Sequence, residues 1–161
     1  MVIGGMANSA WGNPRSTSDV DLTVAVDRDH AQELIDTLGE QIAGYSVDPV
    51  DSLPAGLVLF VHRSGVKVDL LLSRHPYARS AIERAVTIKV RRKQVKFCTP
   101  EDLVLHKIIS ERERDRSDVE YILRRRRKTL DREYLDVRVH ELAVMLDRPE
   151  IEQNYRNLMD R

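Results

Sequence analysis

The sequence predicts an α+β fold: a mixed β-sheet with flanking helices, followed by a C-terminal helical region. Three observations predict it. Val20, Leu22, Val24 and Val26 alternate with Asp19, Asp21, Thr23 and Ala25, the period of a strand with one apolar face and one face bearing two acids. Two runs of strand formers, Leu57 to His62 and Val66 to Leu72, flank Ser64-Gly65 and read as a hairpin. From Thr99-Pro100-Glu101-Asp102 onward the pattern is helical; that tetrapeptide combines an N-cap threonine, a proline at the first position and acids in the first turn.

The remaining elements follow in chain order. Val2 and Ile3 read as a strand, with Gly4-Gly5 directly behind them. An element that ordinarily precedes such a strand is expected to be missing. Ala31, Leu34, Ile35 and Leu38 recur at helical spacing and predict a helix over residues 29–38, with Asp27 and Asp29 as cap candidates and Gly39 as its stop. Residues 44–54 read as a short edge strand and loop, and residues 76–84 as a short helix. A second hairpin is expected from strands 86–90 and 94–98 around Arg91-Arg92-Lys93. The tail divides into helices 100–113, 116–127, 132–147 and 149–160, with breaks near Asp115, Thr129 and Arg148-Pro149. The expected organisation is a core sheet domain over residues 1–99 and a helical region over residues 100–161 packed on it.

Composition narrows the function classes. Lys plus Arg and Asp plus Glu number 26 each, which argues against indiscriminate binding to a phosphate backbone. Aromatic residues make up 5%, so stacking platforms for single-stranded nucleic acid are not advertised. The single cysteine, Cys98, excludes an intrachain disulfide and suits a reducing cytoplasm; it reads as a small buried hydrophobe. No apolar run reaches membrane-spanning length. The five histidines lack metal-ligand spacing.

The chemistry concentrates between Gly4 and Leu22. Two glycines after a strand let backbone approach a ligand phosphate, and they offer amide N–H groups at a helix start, where anions bind. Ser9 adds a hydroxyl donor, and Arg15 can neutralise phosphate in a fork geometry. Asp19 and Asp21 share one strand face, and Asp69, from another strand, can complete a three-carboxylate cluster. Hard oxygen ligands of this kind suit magnesium or manganese rather than zinc.

Gly4-Gly5, then Gly12, Arg15, Thr17 and Asp19-Val20-Asp21-Leu22, resemble the signature of the DNA polymerase β-like nucleotidyltransferase superfamily. The form Gly-Gly-x-Ala with Arg-x-Thr-x-Asp-x-Asp-Leu is closest to its AbiEii-type branch, which contains toxins of toxin–antitoxin systems. Val66-Lys67-Val68-Asp69-Leu70-Leu71 is similar to the third-acid strand of that family. Thr99-Pro100-Glu101-Asp102-Leu103 with Lys107, then Arg116-Ser117-Asp118, are similar to later pieces of the same branch. The resemblance spans residues 2–123; it departs from the family in lacking the helix before the first strand. It implies a nucleotidyltransferase-type sheet and metal binding by Asp19, Asp21 and Asp69, with Asp69 also activating the acceptor hydroxyl. It places Gly4, Gly5, Ser9, Arg15, Thr17 and Lys107 at the nucleotide, and Asp118 near the site. The implied partners are a nucleoside triphosphate with magnesium or manganese, an acceptor that is RNA, protein or a small molecule, and an antitoxin.

Each residue also has a plainer reading. Asp-x-Asp is common at strand ends, Ser9 can be a cap, Arg15 a loop residue, and Lys107 a lysine snorkelling from a helix edge. Trp11 reads as a packing residue. Arg124-Arg125-Arg126-Arg127-Lys128 and the hairpin cations Lys89, Arg91, Arg92, Lys93 and Lys96 are either solvated charge or RNA contacts. The competing functions are a catalytically silent nucleotide- or partner-binding module of the same fold, and a metal-dependent nuclease.

Overall fold

The computed structural model describes residues 1–26, 28–41, 45–47, 56–73 and 76–160. The chain forms two compact units: Met1–Met6 with Ser16–Cys98, and Ala7–Arg15 with Thr99–Arg161. Residues 7–15 group with the helices that follow Thr99 rather than with the strands.

The first unit is built on strands β1 (Asp19–Ala25), β2 (Tyr45–Val47), β3 (Leu57–His62) and β4 (Lys67–Ser73), in the order β1-β4-β3-β2. β1 runs parallel to β4, and the other two pairs are antiparallel. The β3–β4 hairpin closes at Gly65, whose φ is +84°. Helix α1 (Gly4–Trp11) leads into β1 and starts in this unit. Helix α2 (Arg28–Gln41) covers one sheet face, where Ala31 and Ile35 join Val58, Phe60, Leu70 and Leu72 in a core flanked by Leu22, Val24 and Leu34. Helix α3 (Pro76–Arg84) lies against β1. Asp27 and most of residues 44–54 lie outside the described residues, and Asp29 lies within α2.

A second sheet is the hairpin of β5 (Val86–Val90) and β6 (Lys93–Phe97). Met1 to Ile3 stitch it to the first. Val2 bridges both Phe97 and Leu22; its N–H donates to the Lys96 carbonyl at 2.8 Å, and the Ile3 N–H donates to the Asp21 carbonyl at 2.9 Å.

Gly39 does not end α2. The helix continues to Gln41, because the residues at 31, 34, 35 and 38 already dock it on the sheet. Gly39 faces open space, so a β-carbon there would meet nothing within 4 Å. Gly39→Ala is therefore expected to raise the unfolding free energy by about 0.5–1 kcal/mol. Urea denaturation checks this; an unchanged or lower midpoint would count against a helix through Gly39.

The second unit carries helices α4 (Pro100–Ile108), α5 (Glu113–Arg126), α6 (Arg132–Met145) and α7 (Pro149–Met159). Thr99 caps α4 as its sequence predicts: its hydroxyl accepts from the Asp102 N–H at 3.1 Å and donates to the Asp102 carboxylate at 2.8 Å. The break after α4 comes earlier than expected, over residues 109–112, and Asp115 sits inside α5 rather than at a break. The turn returns Asp115 to Lys107 and to the Ser110 hydroxyl, at 2.5 and 2.8 Å. Leu135, Val139 and Ala143 of α6, and Ile151, Tyr155 and Met159 of α7, recur at four-residue spacing and are buried. Among the described residues, no helix is long and apolar enough to cross a membrane.

Candidate active site

The acids of β1 and β4 stand side by side. The parallel register aligns Asp21 with Asp69 and Asp19 with Lys67. Paired residues of neighbouring strands share a face, and so do residues two apart on one strand. Asp19, Asp21 and Asp69 therefore project from one face. They are half-buried, whereas Thr23, next along that face, is buried. On its other side Asp69 pairs with Leu59 of β3.

Two features of α1 hold Asp21. Gly4 has a φ of +59°, and a β-carbon on it would overlap the Asp21 carboxylate. Behind it, the Gly5 N–H donates to Asp21 Oδ2 at 3.2 Å. The helix start expected to face a phosphate thus receives the Asp21 carboxylate, an anion suited to the exposed N–H groups there. Thr17 stands beside Gly5, where a β-carbon would come within 2.7 Å of its hydroxyl, and that hydroxyl donates to the Asp19 carbonyl at 3.2 Å. The Ser18 hydroxyl donates to Asp19 Oδ1 at 3.0 Å.

The electrostatics report crowded negative charge. Burial, and then the charges of Asp21 and Asp19, hold the Asp69 carboxyl above its ordinary range; Lys67 offsets this only in part. None of the three acids forms an ion pair among the described residues. Among the described residues no group of three acid, imidazole or thiolate side chains is placed to hold a metal ion, so Asp19, Asp21 and Asp69 share a strand face without forming a ready three-carboxylate metal site. Asp21 Oδ1, Asp19 Oδ2 and both Asp69 oxygens accept no hydrogen bond among the described residues. The adjacent carboxylates of Asp21 and Asp69 offer the one or two hard oxygen ligands through which magnesium ordinarily binds, with phosphate oxygens and retained waters completing its shell.

Ser9, Arg15 and Lys107, also expected at the nucleotide, belong to the second unit. There the Ser9 hydroxyl donates to the Arg15 carbonyl at 3.3 Å, and Arg15 pairs with Asp118 at 3.3 Å. Lys107 is buried rather than snorkelling: its ammonium lies 2.5 Å from Asp115 Oδ1 and 2.9 Å from Asp118 Oδ2. The structure thus gathers Gly4, Gly5, Thr17, Asp19, Asp21 and Asp69 in one unit, and Ser9, Arg15 and Lys107 in the other.

Sequence reasoning missed Asn8 and Asp115. Fully buried Asn8 donates to Asp118 Oδ1 and to the Asn13 carbonyl, each at 3.0 Å. Its Oδ1 faces Gly12, where a β-carbon would overlap it. An amide among the small and apolar residues Met6, Ala7 and Ala10 was the available signal. Trp11 is a packing residue of the same unit: the Arg126 guanidinium lies 5.0 Å from its ring centre and donates to its carbonyl at 2.7 Å.

Residues 1–159 match a protein family described as "Nucleotidyl transferase of unknown function (DUF2204)". The chain belongs to this family. No protein of curated function matches the sequence significantly. Among solved structures, the antigenic nucleotidyltransferase-like protein from Paracoccidioides brasiliensis superposes with a TM-score of 0.57 at 19% identity, over 96% of this chain and 83% of that one. The lincosamide antibiotic adenylyltransferase LnuA, in its lincomycin-bound form, gives a TM-score of 0.49 at 13% identity, over 75% of this chain and 83% of that one. The first likeness shows that the nucleotidyl transferase family member has a nucleotidyltransferase-like α+β fold.

Proposed function

We propose that the protein transfers a nucleotidyl group from a nucleoside triphosphate to an acceptor hydroxyl, with magnesium or manganese. The observation that supports this most is the side-by-side register of Asp21 and Asp69, with Asp19 two residues along the same face. Asp19, Asp21 and Asp69 would hold the cation through their unbonded oxygens. When bound, it neutralises triphosphate charge and acidifies the attacking hydroxyl. The acceptor oxygen bonds to the α-phosphorus, the bond from that phosphorus to the bridging oxygen breaks, and pyrophosphate leaves with the electron pair. The hydroxyl proton would go to Asp69, the acid on the strand beside Asp21. Thr17 and the glycine-headed start of α1 lie beside Asp19 and Asp21. Ser9, Arg15 and Lys107, which the family resemblance would put at the phosphates, are engaged within the other unit and carry no part of this reading.

The finer reading makes the protein a cytoplasmic toxin whose acceptor is RNA or protein and whose partner is an antitoxin. It rests on the resemblance to the AbiEii-type branch.

The test offers each of the four α-labelled nucleoside triphosphates, with magnesium or manganese, to total RNA and to the protein itself. Label transfer is expected with at least one nucleotide, and Asp21→Asn is expected to reduce it by roughly 100-fold or more. Transfer unaffected by Asp21→Asn would remove the proposed site. Magnesium-dependent nucleotide binding without transfer to any acceptor would identify a silent binding module instead.

A further inference from the structure

The β5–β6 hairpin is a one-signed surface on a chain that is neutral overall. Residues 86–97 contain five cations (Lys89, Arg91, Arg92, Lys93 and Lys96) and no acid. All five are exposed, and none is paired with an acid among the described residues. The pairing fixes which way they face. Lys89 lies opposite Gln94, and Thr87 opposite Lys96, so these four share one face of the ribbon. Every one of them is exposed. The other face carries Ile88, Val95 and buried Phe97, together with Lys93 and the exposed Val86 and Val90. Arg91 and Arg92 form the two-residue turn at the hairpin tip, next to both faces, and are exposed.

The hairpin is also tied to the acids. β6 bonds to Val2, and Val2 bridges Leu22, the residue after Asp21. Two strand spacings, about 10 Å, therefore separate β6 from the strand bearing Asp19 and Asp21. The five residues of β6 extend the basic face a further ~17 Å to the tip.

We propose that this face is the docking track for an RNA acceptor, with Lys89, Arg91, Arg92 and Lys96 on successive phosphates and the RNA end directed toward β1. The inference rests on the nucleotidyl-transfer reading for its chemistry; its binding part stands independently. Cations without paired acids lower the free energy of a polyanion by releasing its condensed counterions. Thr87 and Gln94 between them add neutral donors for phosphate and sugar oxygens. The basic face bears no apolar or aromatic side chain to enter a bilayer. RNA is the polyanion that also presents the hydroxyl which the proposed reaction consumes. The run Arg124 to Lys128 is the rival basic surface, but Arg126 is engaged with the Ala10 and Trp11 carbonyls and Arg124 lies over the Tyr121 ring.

The test is fluorescence anisotropy with a 5′-fluorescein, 20-nucleotide single-stranded RNA across a salt series. Four phosphate contacts predict a log–log salt slope near −3, about a 50-fold loss of affinity between 50 and 200 mM salt. Replacing Lys89, Arg91, Arg92 and Lys96 together by glutamine is expected to remove most of that slope and at least about tenfold of the affinity at 50 mM. Circular dichroism and the thermal shift with magnesium and nucleotide should match wild type. Asp21→Asn should bind the RNA normally. Four outcomes would overturn the track: no RNA binding by wild type, binding unaffected by the hairpin variant, binding lost instead when Arg124, Arg125, Arg127 and Lys128 become glutamine, or hairpin-dependent binding to phosphatidylserine vesicles but not to RNA. Hairpin-dependent RNA binding without transfer would support the track and overturn the enzymatic reading.

Discussion

Lys107→Met is expected to lower the unfolding free energy by about 3–5 kcal/mol, the range for breaking one side of a buried ion pair. Lys107 is the shared cation between two carboxylates three residues apart on α5. Its ammonium is 2.5 Å from Asp115 and 2.9 Å from Asp118, and all three side chains are almost fully buried. Methionine fills the space of the alkyl stem but leaves two like charges facing each other. The loss should depend on pH. In the native protein burial pushes the Asp115 carboxyl up, but hydrogen bonds from Lys107 and Ser110 and the charges of Lys107 and Arg112 outweigh burial and hold it below its ordinary value of 3.8. A depressed native pKa means stability that is present above the unfolded value and lost as pH falls through the native one. Without Lys107 only the Ser110 hydrogen bond and the Arg112 charge still oppose burial, so the lowering weakens and the deficit of the variant should shrink on acidification. Urea denaturation at pH 7 and pH 4 measures both effects. Adding Asp115→Asn to Lys107→Met should restore part of the loss, because no lone charge then remains at that position. Equal stability of variant and wild type at pH 7 would refute the buried arrangement; a deficit identical at both pH values would refute its electrostatic origin.

Asp69→Asn is expected to move activity and stability in opposite directions. If the proposed function holds, transfer should fall by roughly 100-fold or more, because that reading gives Asp69 both the cation and the hydroxyl proton. Metal-free thermal stability at neutral pH should rise. Burial beside Leu59, together with the charges of Asp21 and Asp19, raises the native pKa of Asp69 above 3.8. The folded state then binds this proton more tightly than the unfolded chain. Its contribution is fully present below 3.8 and is lost as pH rises through the raised native value. The amide carries no charge, so the advantage of the variant should appear above that value and vanish in acid. Magnesium should raise the melting temperature of wild type more than that of Asp69→Asn, because a ligand stabilises only the state that binds it. Scanning calorimetry with and without magnesium, alongside the label-transfer assay, gives all these readouts. Retained transfer, or an identical magnesium response in both proteins, would count against a catalytic Asp69.

Much of the local structure was legible because its causes are local. Alternation over residues 19–26 sets the faces of β1, and Ser64-Gly65 closes the β3–β4 hairpin as expected. Helix α3 has the predicted bounds, and the Thr99 cap starts α4 where its hydroxyl, proline and acids place it. Gly39 misled because a glycine can sit inside a helix when packing of the preceding turns outweighs its propensity cost. The break after α4 misled for a similar reason: Asp115 reads as a helix start or stop in isolation, whereas its bond to Lys107 depends on the chain turning at 109–112.

The sequence by itself determined the strands, the main helix starts, the three acids and the one-signed composition of the hairpin, since spacing and residue chemistry suffice for each. Only the tertiary structure decided that Asp21 and Asp69 share a register, because β1 and β4 are separated by more than forty residues and their parallel alignment comes from sheet pairing. It likewise decided that the start of α1 closes on Asp21 and that Lys107 is buried between two carboxylates. These placements follow from burial and from satisfying charge across distant segments, which no window of sequence contains.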